Sequence, residues 1–186
     1  MIRYIKWEER KMARKYETLK DDALRSAVGL MCISARTAPK TRGKDNLIVI
    51  ALNNSDKKNV ISRMKKIAER DARPSCARDA KTIRSIDHIV VIGTKKEPLG
   101  LNCGFCGYPT CKALSRTRGI CAYNSIDLGI ALGSAASVAG RLHIDNRLMY
   151  SIGKAAMECG ILGKDVAQAI GIPLSATGKN QFFDRT

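Results

Sequence analysis

The order of apolar segments along this 186-residue chain predicts an α+β domain of three layers, a central sheet with flanking helices, carrying a cysteine-rich insert. Three observations predict it. Two continuous apolar runs, Asn46 to Leu52 (NLIVIAL) and the run from His88 to Gly93, are bounded by polar turns and read as buried strands. The segments around them repeat apolar residues every three to four positions, the period of an amphipathic helix. Four cysteines follow the second run, where ligands commonly bind in open sheets.

From Trp7 to Arg36 the positions Met12, Tyr16, Leu19, Ala23, Ala27, Leu30 and Met31 keep a helical period. The Lys20-Asp21-Asp22 step is expected to divide this stretch into a basic leader helix and a more buried second helix, whose first-turn acids suit the macrodipole. Ala38-Pro39 stops the helix. After the first strand, residues 56–71 form a helix with Val60, Met64 and Ile67 on one side, and Asp79 to Ile86 a short helix leading into the second strand. Beyond the cysteines, Ser125 to Gly140 is rich in Gly and Ala (Gly129, Ala131, Gly133, Ala135, Ala136, Ala139) and predicts a central helix with close neighbours. Helices at Leu148–Glu158 and Lys164–Ile170 and a strand at Ile172–Ala176 complete the pattern. The expected organisation is a leader helix (1–20), the first part of the α+β domain (21–97), the cysteine insert (98–122) and the rest of the domain (123–186).

The composition bounds the function. No apolar run approaches the roughly 20 residues needed to span a bilayer, since Ile126 to Gly140 is short and contains Asp127, Ser134 and Ser137. The first residues are charged throughout, which argues against a signal peptide and for the cytoplasm, without membrane contact. The net charge is +16, and residues 1–121 hold 27 Lys and Arg against 12 Asp and Glu. Such a surface attracts nucleic acid, an acidic protein or a phosphate. Only nine aromatic residues are present, and no basic stripe is interleaved with stacking side chains, so nucleic acid is disfavoured.

Seven cysteines in a cytoplasmic chain read as ligands rather than disulfides. Cys32 and Cys159 lie in apolar or helical contexts and are expected to act as small buried hydrophobes. Cys76, in the polar stretch Arg73-Pro-Ser-Cys76, is expected at the surface.

The run LGLNCGFCGYPTCKALSRTRGIC, Leu99 to Cys121, spaces Cys103, Cys106, Cys111 and Cys121 as C-x2-C-x4-C-x9-C. Tetrahedral sulfur sites take zinc or iron–sulfur clusters. Zinc usually uses two C-x2-C knuckles, and only one is present. A [4Fe–4S] cubane takes several ligands from one tight loop and another from further on, and this spacing suits it; zinc and a smaller iron centre stay open as alternatives. Gly104 and Gly107 follow ligands, where positive φ allows a tight wrap and exposes N–H groups to sulfur.

Several phrases carry a resemblance: SARTAPKTRGKDNL (34–47), GLNCGFCGYPTC (100–111), CAYNSIDLGIALGSAASVAGRLHIDNRLMYSIGKAA (121–156) and IGIPLSATGKNQFFDR (170–185). With them the chain resembles a family of ferredoxin-domain proteins of anaerobic archaea and bacteria. The resemblance implies a [4Fe–4S] cluster on Cys103, Cys106, Cys111 and Cys121.

The order of elements around these phrases is similar to flavin-dependent nitroreductases. That likeness implies a nitroreductase-like three-layer fold, a homodimer and FMN at its interface. Arg36, Lys40, Arg42 and Asn46 are the cofactor-contact candidates it offers, although the early Arg-Arg-Ser signature is missing.

The function expected from these features is an iron–sulfur redox protein, transferring electrons to a partner protein or serving an oxidoreductase. The alternative is a non-enzymatic module, stapled by a cluster or zinc, whose basic surface recruits nucleic acid or an acidic protein. His88 and His143 have no evident nucleophile beside them, so structural roles are expected for both. No substrate or catalytic side chain is specified by the sequence.

Overall fold

The computed structural model describes residues 14–183, so most of the expected leader helix lies outside the described residues. Ten elements follow in order: α1 (Tyr16–Thr37), β1 (Leu47–Ala51), α2 (Asn54–Arg70), α3 (Pro74–Thr82), β2 (His88–Lys95), α4 (Cys111–Ser115), α5 (Ala122–Arg141), β3 (Asp145–Asn146), α6 (Tyr150–Glu158) and β4 (Val166–Ser175). The strands form one sheet of order β1-β2-β4-β3 in which every pairing is antiparallel.

The alternation of side chains along β2 divides the core in two. Ile89 and Val91 face α2, α3 and α6, among Val60, Met64, Ile67, Ile83 and Ile152. Val90 and Ile92 face α1 and α5, among Met31, Ala35, Leu128, Ala131 and Ala135. A strand buried on both faces has no polar side to show, which is why HIVVIGT reads as an unbroken apolar run. This is the predicted three-layer α+β domain, with the cysteine segment leaving the carboxyl end of β2.

Several expectations are corrected. No break occurs at Lys20-Asp21-Asp22, because α1 continues from Tyr16 to Thr37. The acids there lie on the helix surface, where Asp21 pairs with Arg25 one turn on and with His88 Nε2 at 2.8 Å. β1 is a half-buried edge strand, since only β2 flanks it. The segment 164–170, expected to be helical, forms the first half of β4: its Ala and Gln favour a helix, but pairing of Val166–Ile170 with Ile92–Lys95 prevails. β3 is too short to leave a pattern. α3 begins at Pro74, at the first helical position where a missing N–H costs nothing, and it carries Cys76 inward to complete burial instead of leaving it at the surface. Cys32 and Cys159 are half-buried.

α5 packs through Ala131, Ala135 and Ala139, not its glycines; Gly129, Gly133 and Gly140 lie on the open side with nothing near an added Cβ. The glycine that permits close approach is Gly153 on α6, where a Cβ would stand 1.8 Å from the Ala169 carbonyl oxygen of β4.

Candidate metal centre

Between β2 and α5 the chain leaves the sheet and returns to it through a polar clamp. Asn124, fully buried in the first turn of α5, donates through Nδ2 to the carbonyl oxygens of Lys95 (3.0 Å) and Glu97 (2.8 Å). Asn46 Nδ2 donates to Asn124 Oδ1 at 3.1 Å and to the Glu97 carbonyl at 3.0 Å. Buried amides this well partnered fix geometry, because each unmade bond would leave a desolvated polar group. The departing strand and the residues just after Cys121 are thereby held at one point.

A second brace comes from the turn Thr41–Gly43. Arg42, at φ +58°, donates from Nη1 to the Leu99 carbonyl at 2.9 Å. Thr41 binds the nearly buried Asp127 of α5 through its backbone N–H and its hydroxyl.

Within this frame the cysteine loop wraps tightly. Gly104 and Gly107 take φ of +76° and +82°, as expected from their places after ligands, and the Gly107 N–H donates to the Gly104 carbonyl at 2.8 Å. Asn102, at φ +51°, ties the loop to α4: its N–H donates to Cys111 Sγ (3.3 Å), and its Oδ1 accepts from the Cys111 N–H (2.8 Å). Thr110 caps α4 by accepting from the Ala113 N–H. Leu99, Leu114 and Cys121 make a small core of their own, with Cys106, Tyr108 and Tyr123 against it.

The structure brings all four predicted cysteines to one depression. Cys103, Cys106, Cys111 and Cys121 line it together with Asn102, Tyr108 and Tyr123. Cys103 is exposed, Cys106 and Cys111 are half-buried and Cys121 is buried, so the set runs from rim to floor. The depression is only about 10 Å³. Among the described residues no three Cys, His, Asp or Glu groups form a cage for a single metal ion. Cys121 is the N-cap of the 20-residue α5, whose positive end favours negative charge placed there. The donor set and the Asn102 N–H aimed at one of its sulfurs are chemically suited to an iron–sulfur cluster, in which each thiolate serves a different iron.

Asn102 and Asn124 are the positioning residues of the candidate site that spacing did not reveal. Asn102 had one readable signal: an Asn directly before a ligand and a Gly suits a left-handed turn.

The four residues offered as flavin contacts are engaged within the chain. Arg36 Nη1 binds Asp45 Oδ2 (2.6 Å) and the Leu47 carbonyl (3.0 Å). Lys40 Nζ reaches the carbonyls of Arg36 and Ala38. Arg42 and Asn46 brace the cysteine loop, as described, so none of the four is presented as an unengaged phosphate ligand. His88 is held by Asp21.

The architecture is that of the nitroreductase-type proteins. The chain is similar to a nitroreductase with bound FMN from Desulfitobacterium hafniense DCB-2, with a TM-score of 0.54 and 13% identity over 83% of this chain and 78% of that one. It is likewise similar to a protein assigned as a nitroreductase, in complex with FMN, from Desulfovibrio desulfuricans: TM-score 0.57, 10% identity, 83% and 75% covered. At such identities the likeness is one of fold. A protein of Archaeoglobus fulgidus is 38% identical over 175 residues, spanning 89% of this chain and 94% of its own. Residues 117–185 match the family described as uncharacterized proteins containing a ferredoxin domain (DUF2148), and the chain belongs to that family. The matched stretch includes Cys121 and lies beyond the other three cysteines. Among the described residues no helix is long and apolar enough to cross a membrane.

Proposed function

We propose that the chain is an iron–sulfur redox protein in which Cys103, Cys106, Cys111 and Cys121 hold a [4Fe–4S] cluster. The convergence of these four thiols on one depression carries the reading. The ferredoxin domain by which the family is described supports a redox role. A bound cluster supplies reversible one-electron chemistry.

The chain's own residues set the conditions for it. Cys103, Cys106 and Cys111 present their sulfurs near solvent, where electron exchange with another protein is open. Cys121 anchors the site to α5. Asn102 directs its N–H at the Cys111 sulfur, and hydrogen bonds of this kind raise a cluster's potential by stabilising added negative charge. The Asn46–Asn124 clamp keeps the four ligands in register with the sheet.

Anaerobic purification followed by iron, sulfide, zinc and flavin analysis on one sample tests this. About four irons and four sulfides per chain are expected for a cubane, with a visible absorption band bleached by dithionite. Stoichiometric zinc without iron or sulfide would establish a stapled binding module instead.

A further inference from the structure

We propose that the cysteine-bearing end of the molecule is a docking surface for a small acidic one-electron carrier protein. The proposal rests on the iron–sulfur reading above and goes on to specify the surface and its partner.

From Pro98 to Ile126 the chain contains no Asp or Glu, while Lys112, Arg116 and Arg118 fall within the same stretch. All three are exposed, and among the described residues none has an ion-pair partner. The flanking acids offer them nothing: Glu97 is paired with Lys44, and Asp127 is nearly buried and taken up by Thr41. Lys96, from the end of β2, is drawn onto this surface through the Thr117 carbonyl at 2.6 Å. Ion pairs such as Arg25–Asp21, Lys57–Asp87 and Lys154–Asp71 occur elsewhere on the molecule.

A cluster dication with four thiolates carries a formal charge of about −2. Lys96, Lys112, Arg116 and Arg118 outnumber that charge, so the end of the molecule stays positive with the cluster in place.

The centre of the surface is apolar. Phe105 is 69% exposed at the loop tip, steadied by stacking on Tyr123 at 5.8 Å, and Leu101 is 40% exposed beside Cys103. An apolar centre within a charged rim is the anatomy of a transient protein interface. Cationic rims raise encounter rates with anionic partners and set their orientation. Here that orientation brings the carrier to Cys103, the most exposed ligand. One electron then passes between the carrier's centre and this chain's cluster; the donor is oxidised by one unit, the acceptor reduced by one, and no bond is made or broken. A nucleic acid is a poorer match, because Phe105, the exposed aromatic ring at the centre, is already stacked on its neighbour Tyr123.

The test uses the anaerobically purified full chain and a purified acidic ferredoxin as probe, with binding measured by calorimetry at 20 and 300 mM salt and iron assayed on the same sample. Micromolar or tighter binding at low salt, weakened at least tenfold at high salt, is expected. Lys112→Glu/Arg116→Glu/Arg118→Glu should weaken it at least tenfold, and Phe105→Ala several-fold with an unchanged salt dependence. Lys65→Glu/Lys66→Glu on α2, across the sheet from α5, should leave it unaltered. An iron-loaded sample that does not bind the probe overturns the docking surface and leaves the iron–sulfur reading intact. Equal weakening by the α2 variant overturns it as non-specific attraction. Tighter binding of a DNA or RNA duplex, lost in the same triple variant, overturns it in favour of nucleic acid. A sample without iron or sulfide refutes the iron–sulfur reading, and with it the electron-transfer purpose of the surface.

Discussion

Around the sheet, Ile89 and Val91 on one face and Val90 and Ile92 on the other are each enclosed by helices, and the two cores together hold most of the buried apolar side chains. Between Pro98 and Cys121 the chain of comparable ambition buries only Leu99, Leu114 and Cys121. The body is held by apolar burial, distributed over many residues. The loop is held by a few directed bonds at its base, to which the cluster of the proposed reading would add its own. Such a segment has little core of its own, so on the proposed iron–sulfur reading its stability would be tied to the cluster while that of the body would not.

The sharpest way to break this contrast is to remove one sulfur. Cys111→Ala should abolish stoichiometric iron and speed amide exchange across 99–121, while the thermal midpoint of the body moves little; a large fall in that midpoint would show that loop and body unfold together. In the body, Met64→Ala empties a fully buried site and should cost about 2–5 kcal/mol in denaturant unfolding, with iron content per folded molecule unchanged. Gly153→Ala should cost about 1–3 kcal/mol, because the new methyl meets the Ala169 carbonyl and forces α6 away from β4.

A smaller effect tests the loop's directed bonds. Asn102→Ala removes the bond that Oδ1 accepts from the Cys111 N–H and relaxes the backbone that aims N–H at the sulfur. Partners of this kind typically contribute about 10- to 100-fold to metal affinity; earlier iron loss to a chelator and a lowered midpoint potential are expected. The smallest effect is at the surface clasp joining α2 to α6, where Arg70, and then Lys154, hold the Asp71 carboxyl well below the usual carboxylate range. A depressed folded value means the contribution is complete above the unfolded carboxylate range, about pH 4, and is lost as pH falls toward the folded one. The difference in thermal midpoint between wild type and Asp71→Asn should be constant above about pH 5 and shrink in acid.

What could be read from the sequence differs between the two regions for the same physical reasons. Burial leaves a period, so β2, α2 and the alanine face of α5 were legible. Strand order leaves none: β1 as an edge and 164–170 as a strand follow from pairing with β2, which local propensity cannot report. That the four thiols meet was legible in their spacing, because chemistry restricts which residues are candidates for soft metals, and the turns at Gly104 and Gly107 were legible because positive φ restricts which residues turn. The clamp of Asn46 and Asn124 was not, because a single amide becomes a clamp only when the fold brings its partners within reach, and Asn102 left only the hint of an Asn before a Cys and a Gly. Arg42 and Asn46, which likeness to flavoproteins offered as cofactor contacts, also brace the base of the cysteine loop, a role that neither analogy nor spacing indicated.

The meeting of Lys95, Glu97, Asn46 and Asn124 at one point has a further consequence. With entry and exit fastened together, a strain arising in the chain between them meets the clamp before it reaches a strand. The two ends of the loop are thereby set by the sheet and α5, not by what lies between them.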